Sequence, residues 1–409
     1  MSPAPGVLIV DQGASFGGSV LVAAVVANRM PLERYRVYLA ASVDPSVLRA
    51  DPAAAPRIRH VAKSYDYVAQ ARNRERLASL PRLIRRIGGW SDTTLRMLRN
   101  TGYTRQLAGL IREQDIGLVH LNNGFENLEA HLAAALTRRP VVVHAHGPCG
   151  DSYISRRLAP NVPACIGISG PVSESFAKVG VPRERVALLP NPLTVTARPI
   201  DPQAVRAARK RYGIPADRPI AGIVGRIVAW KGQLEFLRAA AVALREVPDA
   251  GAVVIGEVTD ASDAYGRQVQ EEAARLGIQD RVWFTGFIPE PREAYALLDV
   301  LVHSSIDPEP FGLVLTEAMA FGIPVVAARS GGPLEIVTDG VDGFLMDPRA
   351  PEPLGILLAR LLADRELREQ IGRAGQASVL RRFDPDVYVT RIAEVYDGVL
   401  AGHGERVHE

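Results

Sequence analysis

Two doubly wound α/β domains are the architecture this sequence predicts. Three observations carry the prediction. Short apolar runs recur that are Val-, Ile- and Leu-rich and mostly do not alternate, the pattern of strands buried on both faces of a parallel sheet. Longer amphipathic stretches lie between them. A polar, proline-containing break interrupts the pattern near mid-chain, and the alternation then restarts.

In the first half the strand candidates are Val7 to Val10, Val37 to Ala40, Leu118 to Leu121, Val141 to Val143, Ala164 to Ile168 and Val186 to Leu189. Ser19 to Met30, Thr104 to Gln114 and Phe125 to Leu136 read as helices between them. Leu189-Pro190-Asn191-Pro192-Leu193 and the stretch to Pro202 form the break. The second half offers strands at Ile220 to Val224, Ala252 to Ile255, Val282 to Phe284, Val300 to His303, Pro324 to Ala327 and Gly343 to Leu345. Its helices lie near Gln233 to Val247, Asp263 to Leu276, Gly312 to Ala320 and Pro353 to Ala363. Repeated strand–helix–strand order makes each half a doubly wound, Rossmann-like unit. The expected domains are 1–190 and 203–382, with a linker at 191–202 and a terminal helix at 383–409. Two such units facing across a cleft bring the carboxyl ends of both sheets to one crevice, where ligands bind in this architecture.

A chain of 409 residues with 47% hydrophobic content has material for two cores. A net charge of +3 gives no global reason for a nucleic-acid partner. The two cysteines, Cys149 and Cys165, form no CxxC pair, which argues against a disulfide framework or zinc site and for a reducing cytoplasm. The start, MSPAPGVLIVDQG, has no basic region ahead of an apolar core, so no signal peptide is expected. No apolar run approaches the roughly 20 residues that span a bilayer.

The most informative segment is Pro308-Glu309-Pro310-Phe311-Gly312-Leu313-Val314-Leu315-Thr316-Glu317-Ala318-Met319-Ala320. Prolines and Gly312 predict a loop, and good helix formers follow from Leu313. A helix start suits a phosphate, because its N–H groups are unpaired. Glu317, roughly 7 Å deeper at the helical rise, can take both hydroxyls of a ribose. Glu309 stays on the far side of the phosphates, where a sugar would be. A surface loop followed by a helix with one buried acid explains the two glutamates equally well.

Gly225-Arg226-Ile227-Val228-Ala229-Trp230-Lys231-Gly232 follows the first strand of the second half. Arg226 and Lys231 on a glycine-flanked loop would bind a diphosphate and stabilise its charge as it leaves; two solvated loop charges are the plainer reading. At the equivalent place in the first half, Gly13-Ala14-Ser15-Phe16-Gly17-Gly18-Ser19 opens a helix, and its glycines admit a ligand to the backbone. It is not a GxGxxG turn, and no acid ends the second strand, so a dinucleotide site is poorly supported. Val141-Val142-Val143-His144-Ala145-His146-Gly147 ends a strand in two histidines. They are sugar or acceptor contacts or structural residues; a zinc pair lacks a third ligand at suitable spacing.

Taken together and in this order, these segments resemble the retaining glycosyltransferases of the GT4 family, which have the GT-B fold. The resemblance covers nearly the whole chain. Its strongest part is the paired-glutamate motif at Glu309 and Glu317, within EPFGLVLTEAMAFGIPVVAARSGGPLEIVTDGVDGFLM. The helix start at Gly17-Gly18, the strand-ending His146, ISGPVSESF, VALLPNPL and GRIVAWKG also match. FDPDVYVTRIAEVYDGVL resembles the family's terminal helix, which crosses back to the first domain. The resemblance implies that Arg226 and Lys231 hold the donor diphosphate and that Glu317 binds ribose. Glu309, with the backbone of Phe311, Gly312 and Leu313, would hold donor sugar and phosphate. Gly17 and Gly18 would line the phosphate side, Gly225 the donor site, and His146 would sit near sugar and acceptor. Two departures stand out: Pro310 replaces the usual glycine after the first glutamate, and Asn191-Pro192-Leu193-Thr194 replaces Asn-Gly-Val-Asp. The first bears on the sugar-side loop, since proline removes an N–H, and the second on hinge behaviour.

The resemblance implies a UDP-sugar or GDP-sugar donor, retention by same-face displacement, and no cofactor or metal. The DxD-like Asp384-Pro385-Asp386 reads as a helix start. The acceptor, a glycan, lipid-linked or small molecule, is not encoded in any motif. The segment 72–105 carries Arg72, Arg74, Arg76, Arg82, Arg85, Arg86, Arg96, Arg99 and Arg105 among Leu, Ile and Trp90. It suits anionic lipid at the inner face of a membrane, or a solvated face or dimer interface. Three other functions stay open: an epimerase on the same fold, a phosphorylase, whose pyridoxal-bearing lysine is not identifiable, and a catalytically silent nucleotide-sugar-binding or scaffold protein.

Overall fold

A computed structural model describes residues 4–11, 17–41, 58–60, 100–258 and 263–408. Residues 13–16 of the first glycine turn and 72–99 of the arginine-rich segment lie outside that set. The chain forms two compact units, Met1–Pro192 with Pro385–Glu409, and Leu193–Asp384.

The first unit is built on a seven-stranded sheet. Its strands are β1 (Gly6–Asp11), β2 (Arg36–Ala41), β3 (Ile58–His60), β4 (Ile116–Leu121), β5 (Val141–Ala145), β6 (Ala164–Gly167) and β7 (Val186–Leu188). They lie in the order β3-β2-β1-β4-β5-β6-β7, every pairing parallel. β1 is buried along its whole length, as its unbroken apolar run requires. Helices α1 (Gly18–Arg29), α2 (Thr101–Glu113), α3 (Leu128–Leu136), α4 (Tyr153–Leu158) and α5 (Gly170–Lys178) connect the strands. The chain reverses its direction of strand addition between β1 and β4, which opens a crevice at their carboxyl ends.

The second unit repeats the plan with β8 (Ile220–Val224), β9 (Gly251–Ile255), β10 (Val282–Gly286), β11 (Val300–His303), β12 (Val325–Ala328) and β13 (Phe344–Met346). Their order is β10-β9-β8-β11-β12-β13, again all parallel, and the reversal falls between β8 and β11. Its helices are α6 (Pro202–Arg211), α7 (Gln233–Glu246), α8 (Asp263–Arg275), α9 (Pro291–Tyr295), α10 (Leu313–Ala320), α11 (Pro333–Ile336), α12 (Pro351–Ala363) and α13 (Arg365–Arg382). Phe236, Leu237 and Leu244 of α7 and Leu354, Leu358 and Leu361 of α12 join β8 and β9 in one buried cluster. β12 starts at Val325, one residue after the expected Pro324, and α10 starts at Leu313 with Gly312 as its N-cap.

The terminal helix α14 (Pro385–His408) belongs to the first unit. Asp386 pairs with Arg29 at 2.7 Å, so the Asp-Pro-Asp triplet begins a helix and one of its carboxylates holds an arginine. Asp397 accepts from Tyr35 Oη at 2.5 Å and from Arg34 at 2.8 Å. The Tyr35 and Tyr396 rings meet edge to face, 5.4 Å apart. No helix among the described residues is long and apolar enough to cross a membrane.

Candidate active site

In the second unit the site grows from the crevice between β8 and β11. A 3₁₀ turn, Ala229–Lys231, follows β8, and Gly232 then starts α7 in a left-handed conformation. A Cβ at Gly232 would lie 1.9 Å from the Ser304 carbonyl oxygen, so only glycine lets the β8 loop close on the end of β11. Ser304 Oγ donates to the Gly232 carbonyl at 2.8 Å and reinforces the contact. Lys231 is thereby brought to Glu309, with Nζ 2.5 Å from Oε2, while the ammonium lies 4.2 Å from the centre of the Trp230 ring.

The same Glu309 oxygen lies 3.2 Å from His303 Nε2 and accepts from Ser305 Oγ at 3.1 Å. Burial alone would push the Glu309 carboxyl up. The His303 hydrogen bond and the Lys231 charge outweigh it and hold the group at about 2. Burial pushes the Lys231 ammonium down, Glu309 opposes that shift, and the nearby charge of Arg226 adds to it. Arg226 is exposed; its carbonyl accepts from Gln233 Nε2 at 2.9 Å. Gly225, just past β8, donates its N–H to the Ile255 carbonyl at 2.9 Å.

The loop that carries Glu309 rests on Gly331 and Gly332. The Gly332 N–H donates to the Glu309 carbonyl at 2.8 Å. Phe311 is buried against Phe383, with ring centroids 5.7 Å apart. Gly312 and Leu313 then set the start of α10. One turn further along, Glu317 is buried and both its oxygens are occupied. Oε1 accepts from Thr194 Oγ1 at 2.7 Å and Oε2 from Tyr295 Oη at 2.8 Å. Burial raises its pKa against the pull of those two hydroxyls. Each carboxylate oxygen has a second lone pair and can accept a further hydrogen bond. Thr194, from the segment that departs from the family pattern, thus reaches the second glutamate of the motif.

In the first unit His146 is the first residue after β5. Its Nε2 lies 3.1 Å from Asn122 Oδ1 at the end of β4. Asn122 Nδ2 donates to Asp11 Oδ2 at 2.7 Å and to the Ser19 carbonyl at 2.9 Å. Behind His146 the His144 ring lies 4.3 Å away. His144 Nδ1 is 3.2 Å from His120 Nε2, and His120 Nδ1 is 2.7 Å from Tyr396 Oη on α14. Burial lowers His120 and His146 to about 3, and His144 well below the usual histidine range. These are neutral imidazoles. Among the described residues no group of three or more His, Cys, Asp or Glu is disposed to hold a metal ion. Gly17 is the N-cap of α1 and Gly18 its first residue.

Thus Lys231 and Glu309 meet directly, Arg226 acts on Lys231 through charge, and Glu317 sits in its own hydroxyl-lined position. His303, Ser305, Gly331, Gly332, Thr194 and Tyr295 were not assigned roles from sequence, nor were Asp11, Asn122, His120 and Tyr396. Asp11, Asn122 and His303 had a visible signal, a polar residue at the end of an apolar strand.

Residues 16–196 match the family model described as Glycosyltransferase Family 4, and residues 205–378 match Glycosyl transferases group 1. A GDP-mannose-dependent alpha-(1-6)-phosphatidylinositol monomannoside mannosyltransferase of Mycolicibacterium smegmatis is 30% identical over 322 residues, covering 75% of this chain and 82% of that protein. A D-inositol 3-phosphate glycosyltransferase of Streptomyces griseus is 37% identical over 211 residues, covering 50% of this chain and 44% of that protein. The chain therefore matches less than half of that second relative's length. The Anabaena HepE protein, solved with UDP and glucose, is 23% identical and has a TM-score of 0.74 over 96% of this chain and 99% of its own; that likeness shows the fold. With both halves matched and the first relative aligned over most of its length, the chain belongs to glycosyltransferase family 4, the group 1 glycosyl transferases.

Proposed function

We propose that this protein moves a sugar from a nucleotide-diphosphate-sugar to a hydroxyl of a sugar, lipid-linked or small-molecule acceptor, with retention at the anomeric carbon. The observation that carries the site reading is the Lys231–Glu309 pair, at 2.5 Å beside Arg226 in the crevice of the second unit. Arg226 and Lys231 would hold the diphosphate. Glu309, with the backbone of Phe311, Gly312 and Leu313, would hold sugar and phosphate, and Glu317 the ribose. Gly17, Gly18 and His146 are the candidate residues of the first unit, and Gly225 would belong to the donor site.

The anomeric carbon–oxygen bond to the diphosphate breaks as the acceptor oxygen bonds to the same face. The acceptor proton passes to the departing phosphate oxygen. Positioning and electrostatic stabilisation of that leaving group supply the acceleration. No metal takes part in this scheme; turnover abolished by a chelator and restored by magnesium would overturn that point.

The donor is a GDP- or UDP-sugar. GDP-mannose is the first to test, because the 30% identical relative is named for it. Thermal melting with GDP, UDP, ADP and CDP, then with their sugar conjugates, tests the reading, since a ligand of the native state raises the melting temperature with concentration. A selective shift followed by transfer supports the proposal. A selective shift without transfer across a broad acceptor panel favours a silent nucleotide-sugar binder.

A lipid-linked acceptor is the second reading, favoured by that relative's named phosphatidylinositol monomannoside substrate. The arginine-rich segment 72–105 would then lie on anionic lipid. Flotation with anionic vesicles at low salt, lost at high salt, is the expected result; no binding at low salt would exclude it.

A further inference from the structure

We propose that Asn122, oriented by Asp11, fixes the tautomer of His146, so that Nε2 carries the proton and Nδ1 offers its lone pair. The argument is one of hydrogen-bond inventory. Asn122 has two amide hydrogens, and both are committed to acceptors. One goes to Asp11 Oδ2 at 2.7 Å and the other to the Ser19 carbonyl at 2.9 Å. A flipped amide would set its oxygen against these two acceptors at short range. The carbonyl Oδ1 must therefore face His146 Nε2 at 3.1 Å. An amide oxygen only accepts, so Nε2 is the N–H.

Asn122 and Asp11 are 1% and 2% exposed, so water does not supply alternative partners. The three residues come from the carboxyl ends of β4, β1 and β5, neighbours at the point where the sheet order reverses. Among the described residues none is hydrogen-bonded to His146 Nδ1. The bare nitrogen is an acceptor for a hydroxyl hydrogen, and it repels a carboxylate or phosphate oxygen. Asn122 and Asp11 are thus positioning residues for His146. The inference rests on the reading of His146 as a group that faces sugar or acceptor.

The test is a long-range proton–nitrogen correlation spectrum of the full chain labelled with ¹⁵N-histidine, with His146→Gln to assign the ring. The expected result is a bare Nδ1 and a protonated, slowly exchanging Nε2–H between pH 5.5 and 8. The reverse pattern overturns the proposal, whether or not the enzyme is active. Asn122→Leu should lose the protected Nε2–H and lower kcat about 10-fold, with the nucleotide-induced melting shift kept. Unchanged kcat in Asn122→Leu, in an enzyme with confirmed transfer activity, would overturn the positioning role. Absence of transfer in the unmutated chain would instead count against the proposed function and leave the tautomer result standing.

Discussion

Lys231 and Glu309 are 78 positions apart in sequence, yet their charged atoms meet at 2.5 Å beneath largely buried surroundings. A buried pair of this kind leaves a costly charge behind when one partner is removed. Lys231→Ala should lower kcat on the order of 10²-fold or more, and Lys231→Arg should not restore it, because a planar fork does not replace a compact ammonium. Steady-state kinetics beside a melting curve checks this; near-normal kcat in folded Lys231→Ala would remove it from the diphosphate site. The pair also sets an acid limb of stability. The Glu309 pKa is depressed from 4.5 to about 2. Its contribution is therefore present above about 4.5 and lost as pH falls through about 2. Glu309→Gln should flatten that limb.

Glu317 has the opposite sign. Burial raises its pKa above 4.5 despite Thr194 and Tyr295. The folded state thus favours the protonated form, a contribution present at low pH and lost as pH rises through the folded pKa. At neutral pH the ionised carboxylate therefore costs stability. Glu317→Gln should melt no lower than the parent chain at pH 8, with its relative advantage growing from pH 4 to 8. It should also lose the nucleotide-induced shift. A mutant that melts well below the parent at pH 8 would contradict the sign.

Much of this fold was legible because buried parallel strands are unbroken apolar runs: β8 and β11 were expected at their observed limits. Helix α13 was not, because its 18 residues bury little beyond Ile371, Gly372, Gly375, Ser378 and Val379. It packs through glycine, with a Gly372 Cβ placed only 2.0 Å from the Gly322 carbonyl oxygen, and leaves no apolar stripe to read. The same limit applies to the site. Glu309, Glu317 and Lys231 sit in recognisable local motifs. Thr194, 123 positions from Glu317, and Asn122, 111 from Asp11, gain their partners only through topology.

The glycine pair under the Glu309 loop makes a sharp probe. A Cβ on Gly332 would meet Phe311 Cα at 2.4 Å and its carbonyl oxygen at 2.5 Å. These are backbone atoms, so no rotamer change relieves the clash, and the loop over 309–312 must shift. A displacement near 1 Å costs about 10²-fold in rate, and Gly332→Ala should lose that much kcat/KM. Gly340→Ala is the control: its φ of 74° is strained for alanine, but nothing lies within 4 Å. It should lower the melting temperature and leave kcat/KM alone. Equal kinetic losses in both would refute support of the loop by Gly332.

The buried histidines of the first unit give the chain a distinct acid response. Burial lowers His131 to about 4, and burial also lowers His120 and His146 to about 3. An unfolded histidine titrates near 6.5, so protonation favours the unfolded chain. Their contribution is complete above about 6.5 and is lost as pH falls toward the folded values. Melting temperature should therefore drop steadily from pH 7 to pH 4, a range in which exposed carboxylates alone would change it little until below about 5. His131 separates this effect from the chemistry. It stacks on Phe125 with ring centroids 6.3 Å apart and is not a member of the Tyr396–His120–His144 chain. His131→Leu removes one titrating group and should make the pH dependence shallower by one proton, with kcat unchanged. His120→Leu should flatten it similarly but also lose the bond to Tyr396, which secures α14, at a cost of about 1 to 3 kcal/mol for the unpaired hydroxyl. A pH profile identical in the parent and His131→Leu chains would show that His131 is not held neutral by burial.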